Sequence, residues 1–156
     1  GCGGGRGGEL VGFWEARLSR HDLGRAEAER VHVSQGDACN LEPRSEHYDL
    51  VLASSRIDRL REPASFLREI APRLRSGGLL VLTSPYTWLT DYTPKANWLG
   101  GIRENGEALS THQALQRLLA AEFEELCPPR DVPFVIRETA RKHQHTVAQL
   151  TVWRKR

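Results

Sequence analysis

Two apolar runs and one amphipathic stretch between them carry the clearest signal along the chain. Tyr48-Asp-Leu-Val-Leu-Ala53 is almost continuously apolar, the pattern of a strand buried on both faces of a parallel sheet. Gly78-Leu-Leu-Val-Leu-Thr83 repeats it. Between the two, Phe66, Leu67, Ile70 and Leu74 share one helical face, so the spacing predicts a helix over Pro63–Arg75. Pro63 suits the first turn. Pro72 predicts a kink or an early break, and Ser76-Gly77-Gly78 stops the element.

The remaining elements are shorter. Leu10, Phe13, Trp14 and Leu18 recur at three- and four-residue spacings and predict a helix over Glu9–Arg20, broken by Gly24. Val31-His-Val33 reads as a short alternating strand, ended by the turn-forming Gly36-Asp37. Thr111 is positioned to cap a helix running to about Ala121, with Leu115, Leu118 and Leu119 inward. Phe134-Val-Ile136 and Val147–Trp153 read as two final strands forming an antiparallel pair. Strands alternating with helices, closed by a hairpin, predict an α/β doubly wound sheet with helices on both faces. The chain reads as one domain, and no internal repeat interrupts it.

Composition narrows the function classes. The chain has 156 residues, 39% hydrophobic and 27% charged, ordinary values for a globular domain. Lys and Arg total 22 against 20 for Asp and Glu, a formal charge of +2, which argues against a nucleic-acid partner that would need a concentrated basic face. No apolar run reaches the ~18 residues of a membrane span, and no signal peptide opens the chain. Cys2, Cys39 and Cys127 are far apart, which predicts no disulfide framework, no metal site and a reducing, cytoplasmic location.

Five segments carry candidate chemistry. Gly1-Cys-Gly-Gly-Gly5 fits a G-x-G-x-G loop, whose missing Cβ atoms allow close backbone approach to a ligand; a flexible tail is the ordinary alternative. In Gly36-Asp-Ala-Cys-Asn40, the Asp37 carboxylate can accept a hydrogen bond from an adenine amine, or simply close an Asx turn. Ser54 and Ser55 end the first buried strand, where open α/β sheets bind ligands. The segment from Ser84 to Gly101 holds two Trp and two Tyr within 13 residues, and such a loop at a sheet's carboxyl edge walls a pocket or favours a cation through its ring faces. Near the end of the chain, Arg137 is suited to a carboxylate and His145 to a polar substrate group. The His-x-His pair at His143 and His145 lacks a third ligand, so no metal is expected.

Taken together, the glycine loop, Gly36-Asp37-Ala38, the Tyr48-Asp-Leu-Val-Leu strand and Ser76-Gly-Gly-Leu-Leu-Val resemble the class I S-adenosylmethionine-dependent methyltransferases, with their Rossmann-like sheet. Further blocks resemble one subfamily: Gly36–Leu41, Ile57–Leu60, Ser84–Leu89, Trp98–Gly101, Val132–Glu138, Gln144–Ala148 and Thr151–Arg154. That subfamily is the C-terminal mercaptohistidine N-methyltransferase domain of ovothiol-biosynthesis enzymes. The resemblance covers residues 31–156 nearly continuously. It implies S-adenosylmethionine as cofactor and methyl transfer to a ring nitrogen of 5-mercaptohistidine, a small-molecule substrate. It also implies an iron-dependent sulfoxide synthase upstream on the same polypeptide.

By position, the resemblance assigns Gly1, Gly3, Gly5, Asp37 and Ala38 to the cofactor, and Ser54 joins them from its place at the carboxyl end of the first buried strand. Tyr86, Trp88, Trp98, Arg137 and His145 are candidates for the substrate pocket by chemistry and location. No residue stands out as proton acceptor. One departure is visible: a whole methyltransferase has a helix, a second strand ending in a ribose-binding acid and another helix between the glycine loop and the third strand. Only 25 residues separate Gly5 from Val31. Residues 1–30 therefore read as a remnant of the glycine loop plus a helix, and 31–156 as the second half of the domain, a truncated sheet lacking its first and second strands. That truncation predicts weak stability and weak cofactor affinity. The alternatives are a methyltransferase of the same fold with another small substrate, and a non-catalytic fragment that no longer binds the cofactor.

Overall fold

A computed structural model of the chain describes residues 2–6, 9–14, 24, 29–33, 35–41 and 46–156, the first two stretches as backbone. Two units are distinct. One comprises Gly1–Gln35 with Val135–His145, the other Gly36–Phe134 with Thr146–Arg156.

The first unit contains β1 (Cys2–Arg6) and β2 (Glu9–Trp14), an antiparallel hairpin pairing Gly3 with Phe13 and Gly5 with Leu10. This corrects the expected helix over Glu9–Arg20: residues 9–14 are a strand, and 15–20 lie outside the described residues. Val11, Phe13 and Trp14 suit a pleated backbone, and in so short a run the same apolar spacing serves a strand once a partner is present. Val31–Val33 is a second correction. It forms no strand, and Val31 and Val33 are largely exposed.

The second unit is built on a sheet of order β3–β4–β9–β7, from β3 (Tyr48–Ser54), β4 (Leu74–Ser84), β7 (Phe123–Glu125) and β9 (His143–Lys155). β3 and β4 run parallel, with Val51 beside Leu80 and Ser54 beside Thr83. β9 lies antiparallel between β4 and β7, with Leu80 beside Trp153 and Thr151 beside Leu82. β8 (Arg130–Arg137) pairs with β9, and residues 138–142 between them are too short for a parallel crossover, as the closing pair required.

The crossover from β3 to β4 is α1 (Pro63–Ile70), which buries Pro63, Phe66, Leu67 and Ile70. It stops earlier than expected because Pro72 has no N–H to continue the helical ladder, and residues 71–73 tighten into a 3-10 turn. Ser76-Gly-Gly78 does not stop the helix but lies inside β4, where the register slips between Tyr48 and Leu50. Gly77 takes a φ of +77° there, and a Cβ on Gly78 would meet the Arg75 and Tyr48 carbonyls at 2.9 and 3.0 Å. After β4 the chain forms a miniature hairpin, β5 (Ile102–Glu104) with β6 (Glu107–Leu109), and then α2 (Thr111–Leu119). The cap of α2 is Ser110 rather than Thr111.

One face of the sheet holds the core: Leu80, Leu82 and Trp153 pack with Leu67, Ile70, Leu115 and Phe123. On the opposite face Leu50 and Leu52 are 51% and 60% exposed. The expectation that Tyr48–Ala53 is buried on both faces is therefore corrected. Among the described residues β3 is the edge of its sheet, and only Ala53, on the core side, is buried.

Candidate active site

The carboxyl ends of β3 and β4 define one ledge. Ser54 and Thr83 are register partners, and the Thr83 hydroxyl donates to Ser54 Oγ at 3.0 Å. Ser55 N–H donates to the Thr83 carbonyl at 2.7 Å. Ser55 and Tyr86, the residues at which the chain leaves the two strands, take positive φ values of 50° and 51°. Such strained positions persist where the surrounding structure enforces them, and they concentrate at ligand sites.

The loop after β4 is fixed to this ledge by a buried carboxylate that sequence reasoning gave no role. Asp58, 1% exposed, sits in a 3-10 turn (Ile57–Arg59) just past β3. Its Oδ2 accepts from the Thr87 N–H at 3.0 Å, the Thr87 hydroxyl at 3.1 Å and Arg59 at 3.0 Å. Arg59 also donates to the Thr87 carbonyl at 2.8 Å and lies over the Tyr92 ring, 5.0 Å from its centre. A buried charge is stable only when paired and hydrogen-bonded in this way. No periodicity marks Asp58, since its role depends on a residue 29 positions away.

The loop's aromatics follow. Trp88 is buried, donates from Nε1 to the Thr111 hydroxyl at 3.0 Å, and stacks on Trp98 with ring centres 6.5 Å apart. Trp98, half-buried, donates from Nε1 to the Thr93 carbonyl at 2.8 Å. Tyr86 points its hydroxyl into the interior without a hydrogen bond of good geometry. Burial pushes its pKa from 10 up to about 12, the Asp58 and Glu125 carboxylates adding to the rise and the Thr151 hydroxyl opposing it. Behind this group, His112 Nε2 lies 2.7 Å from Glu125 Oε1, and Gln116 donates to Glu125 Oε2 at 2.9 Å.

The structure thus brings together Ser54, Tyr86, Trp88 and Trp98 in one unit. Asp37 belongs to the same unit; its Oδ1 accepts from the Cys39 N–H at 2.9 Å, the Asx turn, and Oδ2 has no partner among the described residues. Ala38 packs against the core. Arg137 and His145 belong to the other unit, both exposed, with Arg137 donating to the Thr139 carbonyl at 3.2 Å. Gly3 and Gly5 are also in that unit, in a hairpin instead of the loop-to-helix turn expected of them; Gly1 lies outside the described residues. Among the described residues no group of His, Cys, Asp or Glu is placed to hold a metal ion, and no helix is long and apolar enough to cross a membrane.

A parallel strand pair whose carboxyl ends carry polar side chains, followed by an antiparallel strand inserted in the same sheet, defines an α/β fold of the nucleotide-binding type. A family profile described as a methyltransferase domain matches residues 1–82, just over half the chain, and the chain belongs to that family. S-adenosylmethionine is the cofactor of these methyltransferases. Solved structures share the fold. A SAM-dependent methyltransferase from Methanosarcina mazei is 18% identical with a TM-score of 0.51, over 77% of this chain and 65% of that one. A protein solved in work on the conversion of a disulfide bond into a thioacetal group during echinomycin biosynthesis is 13% identical with a TM-score of 0.53, over 88% and 61%. The chain therefore spans less than two thirds of the length of either. A search of curated proteins finds no match.

At the carboxyl ends of β3 and β4, the Ser54 and Thr83 hydroxyls border the strand ends, and Asp37 in the same unit has its Oδ2 without a partner among the described residues.

Proposed function

We propose that this chain is an N-methyltransferase domain acting on the imidazole ring of 5-mercaptohistidine, the last step to ovothiol. The observation that carries the reading is the stacked Trp88–Trp98 pair, held by Thr111 and Thr93 in the segment that follows β4. When bound, the cofactor supplies an electrophilic methyl on a sulfonium cation. Asp37 and Ser54 would hold its adenosyl part, and the aromatic faces favour both a cation and a planar ring. The attacking nitrogen must be unprotonated, and the chain's contribution is chiefly alignment. Tyr86 stays neutral at physiological pH with its hydroxyl in the interior, so it is not the proton acceptor. Arg137 and His145, expected for the substrate from the sequence, lie in the smaller unit and carry no part of this reading. An iron-dependent synthase upstream on the same polypeptide is the partner this reading expects.

The test is methyl transfer by the purified chain to 5-mercaptohistidine, histidine and histamine, read by mass spectrometry. A methyl group gained only by mercaptohistidine supports the reading; transfer to another acceptor moves the assignment within the same fold. One observation favours a second reading, a chain that does not bind the cofactor by itself: Gly3 and Gly5 lie in a β-hairpin. Calorimetric titration with S-adenosylhomocysteine separates the two. Saturable binding weakened about tenfold by Asp37→Ala, the loss of one charge-assisted hydrogen bond, supports the first. No heat in a folded sample supports the second.

A further inference from the structure

Beside the aromatic pair lies an open groove of about 940 Å³, within the range of small-molecule sites. Its walls come from three elements that follow β4: the 3-10 turn Lys95–Asn97, the β5–β6 hairpin and the first turn of α2. Trp98, Ile102 and Leu109 supply apolar surface. Lys95 and Arg103 supply charge, and no Asp or Glu lines the groove.

The polar groups there differ in how far they are committed. Ser110 and Gln113 satisfy each other in the capping box of α2. Arg103 gives one N–H to the Gly106 carbonyl at 3.0 Å, which fixes the guanidinium over the hairpin and leaves its other donors without partners among the described residues. The Lys95 ammonium makes no hydrogen bond or ion pair among the described residues, and the neighbouring acid Glu104 is taken by Arg117 at 2.6 Å. Two cations facing an apolar, aromatic floor are complementary to an anion attached to a planar or apolar body.

We propose that this groove binds the carboxylate of the methyl acceptor, with Arg103 and Lys95 on the carboxylate and Trp98 against its ring, so that the substrate is a carboxylic acid and not the corresponding amine. Arg137 is then not needed for that group. The proposal rests on the methyltransferase reading for the word acceptor, but the groove's preference for carboxylates is measurable without turnover.

The experiment is calorimetric titration of the full chain with three probes: 5-mercaptohistidine, its decarboxylated amine and imidazolepropionate, a carboxylate lacking the amino group. The proposal expects both carboxylates to bind at least about tenfold more tightly than the amine. It expects that preference to vanish in Lys95→Gln/Arg103→Gln and to persist in Arg68→Gln, which removes an exposed charge on α1. Circular dichroism of each variant verifies folding, and Lys95→Gln alone, at an exposed position, gives a partial loss if the double variant is unfolded. Equal binding of acid and amine, or a preference untouched by the double variant, overturns the proposal. Carboxylate binding without methyl transfer overturns the assigned reaction and leaves the groove standing. Methyl transfer with no carboxylate preference does the reverse.

Discussion

At the scale of single residues, the site is governed by where burial meets charge. Tyr86 has its hydroxyl in the interior, so folding must keep it protonated, and the group ionises first in the unfolded chain. Its contribution to stability is therefore complete below pH 10, its unfolded value, and is lost as pH rises from 10 through about 12. We expect the unfolding free energy to fall by about 2 kcal/mol more in the wild type than in Tyr86→Phe across that window. Denaturant titrations at pH 8, 10 and 11.5 measure it, and parallel curves for the two proteins would contradict the assignment. Asp58 is buried too, and its Oδ2 is surrounded by donors from Arg59 and Thr87.

Elements impose a second set of constraints. Gly100 packs so closely against the start of α2 that a Cβ there would lie 2.3 Å from the Thr111 nitrogen, a backbone atom that cannot swing aside. Gly100→Ala should cost about 1–3 kcal/mol by overpacking, whereas Ser110→Ala removes one capping interaction and should cost about 1 kcal/mol. Both are read as a change in denaturation midpoint at constant slope, and a Gly100→Ala variant as stable as wild type would refute the close contact. The elements legible in the sequence were those with their own pattern: β3, α1, β4 and α2 stand close to where apolar spacing and Pro63 place them, although Gly77 and Gly78 lie inside β4 instead of ending α1. Glu9–Trp14 was not legible, because six residues of mixed aromatic and aliphatic character fit a helix face or a strand equally and the pairing partner decides. The aromatic loop announced itself by composition, yet its anchor at Asp58 and the cations of the groove did not. Their meaning arises only when the 3-10 turn after β3, the loop and the β5–β6 hairpin come together.

At the scale of the whole molecule, the two faces of the larger sheet are unequal. Leu50 and Leu52 project from the edge strand beside Leu79 and Val81, away from the core. An apolar row on a strand that has no further partner among the described residues favours association between chains. Replacing both leucines by lysine should lower the weight-average mass seen by sedimentation velocity at high protein concentration, while shifting stability by less than about 0.5 kcal/mol each. Unchanged sedimentation would show that this row plays no part in association.

The place of β9 has a consequence in time. This strand lies inside the sheet, between β4 and β7, although it follows both in sequence. Its Trp153 enters the core, and Lys155 donates from Nζ to the Ala71 and Leu74 carbonyls at 2.6 and 3.1 Å. During synthesis the strands and helices made earlier can assemble only around a vacant slot, with one flank of β4 unsatisfied, until residues 143–155 leave the ribosome. Nascent chains of this protein therefore carry a sheet they cannot close until β9 emerges.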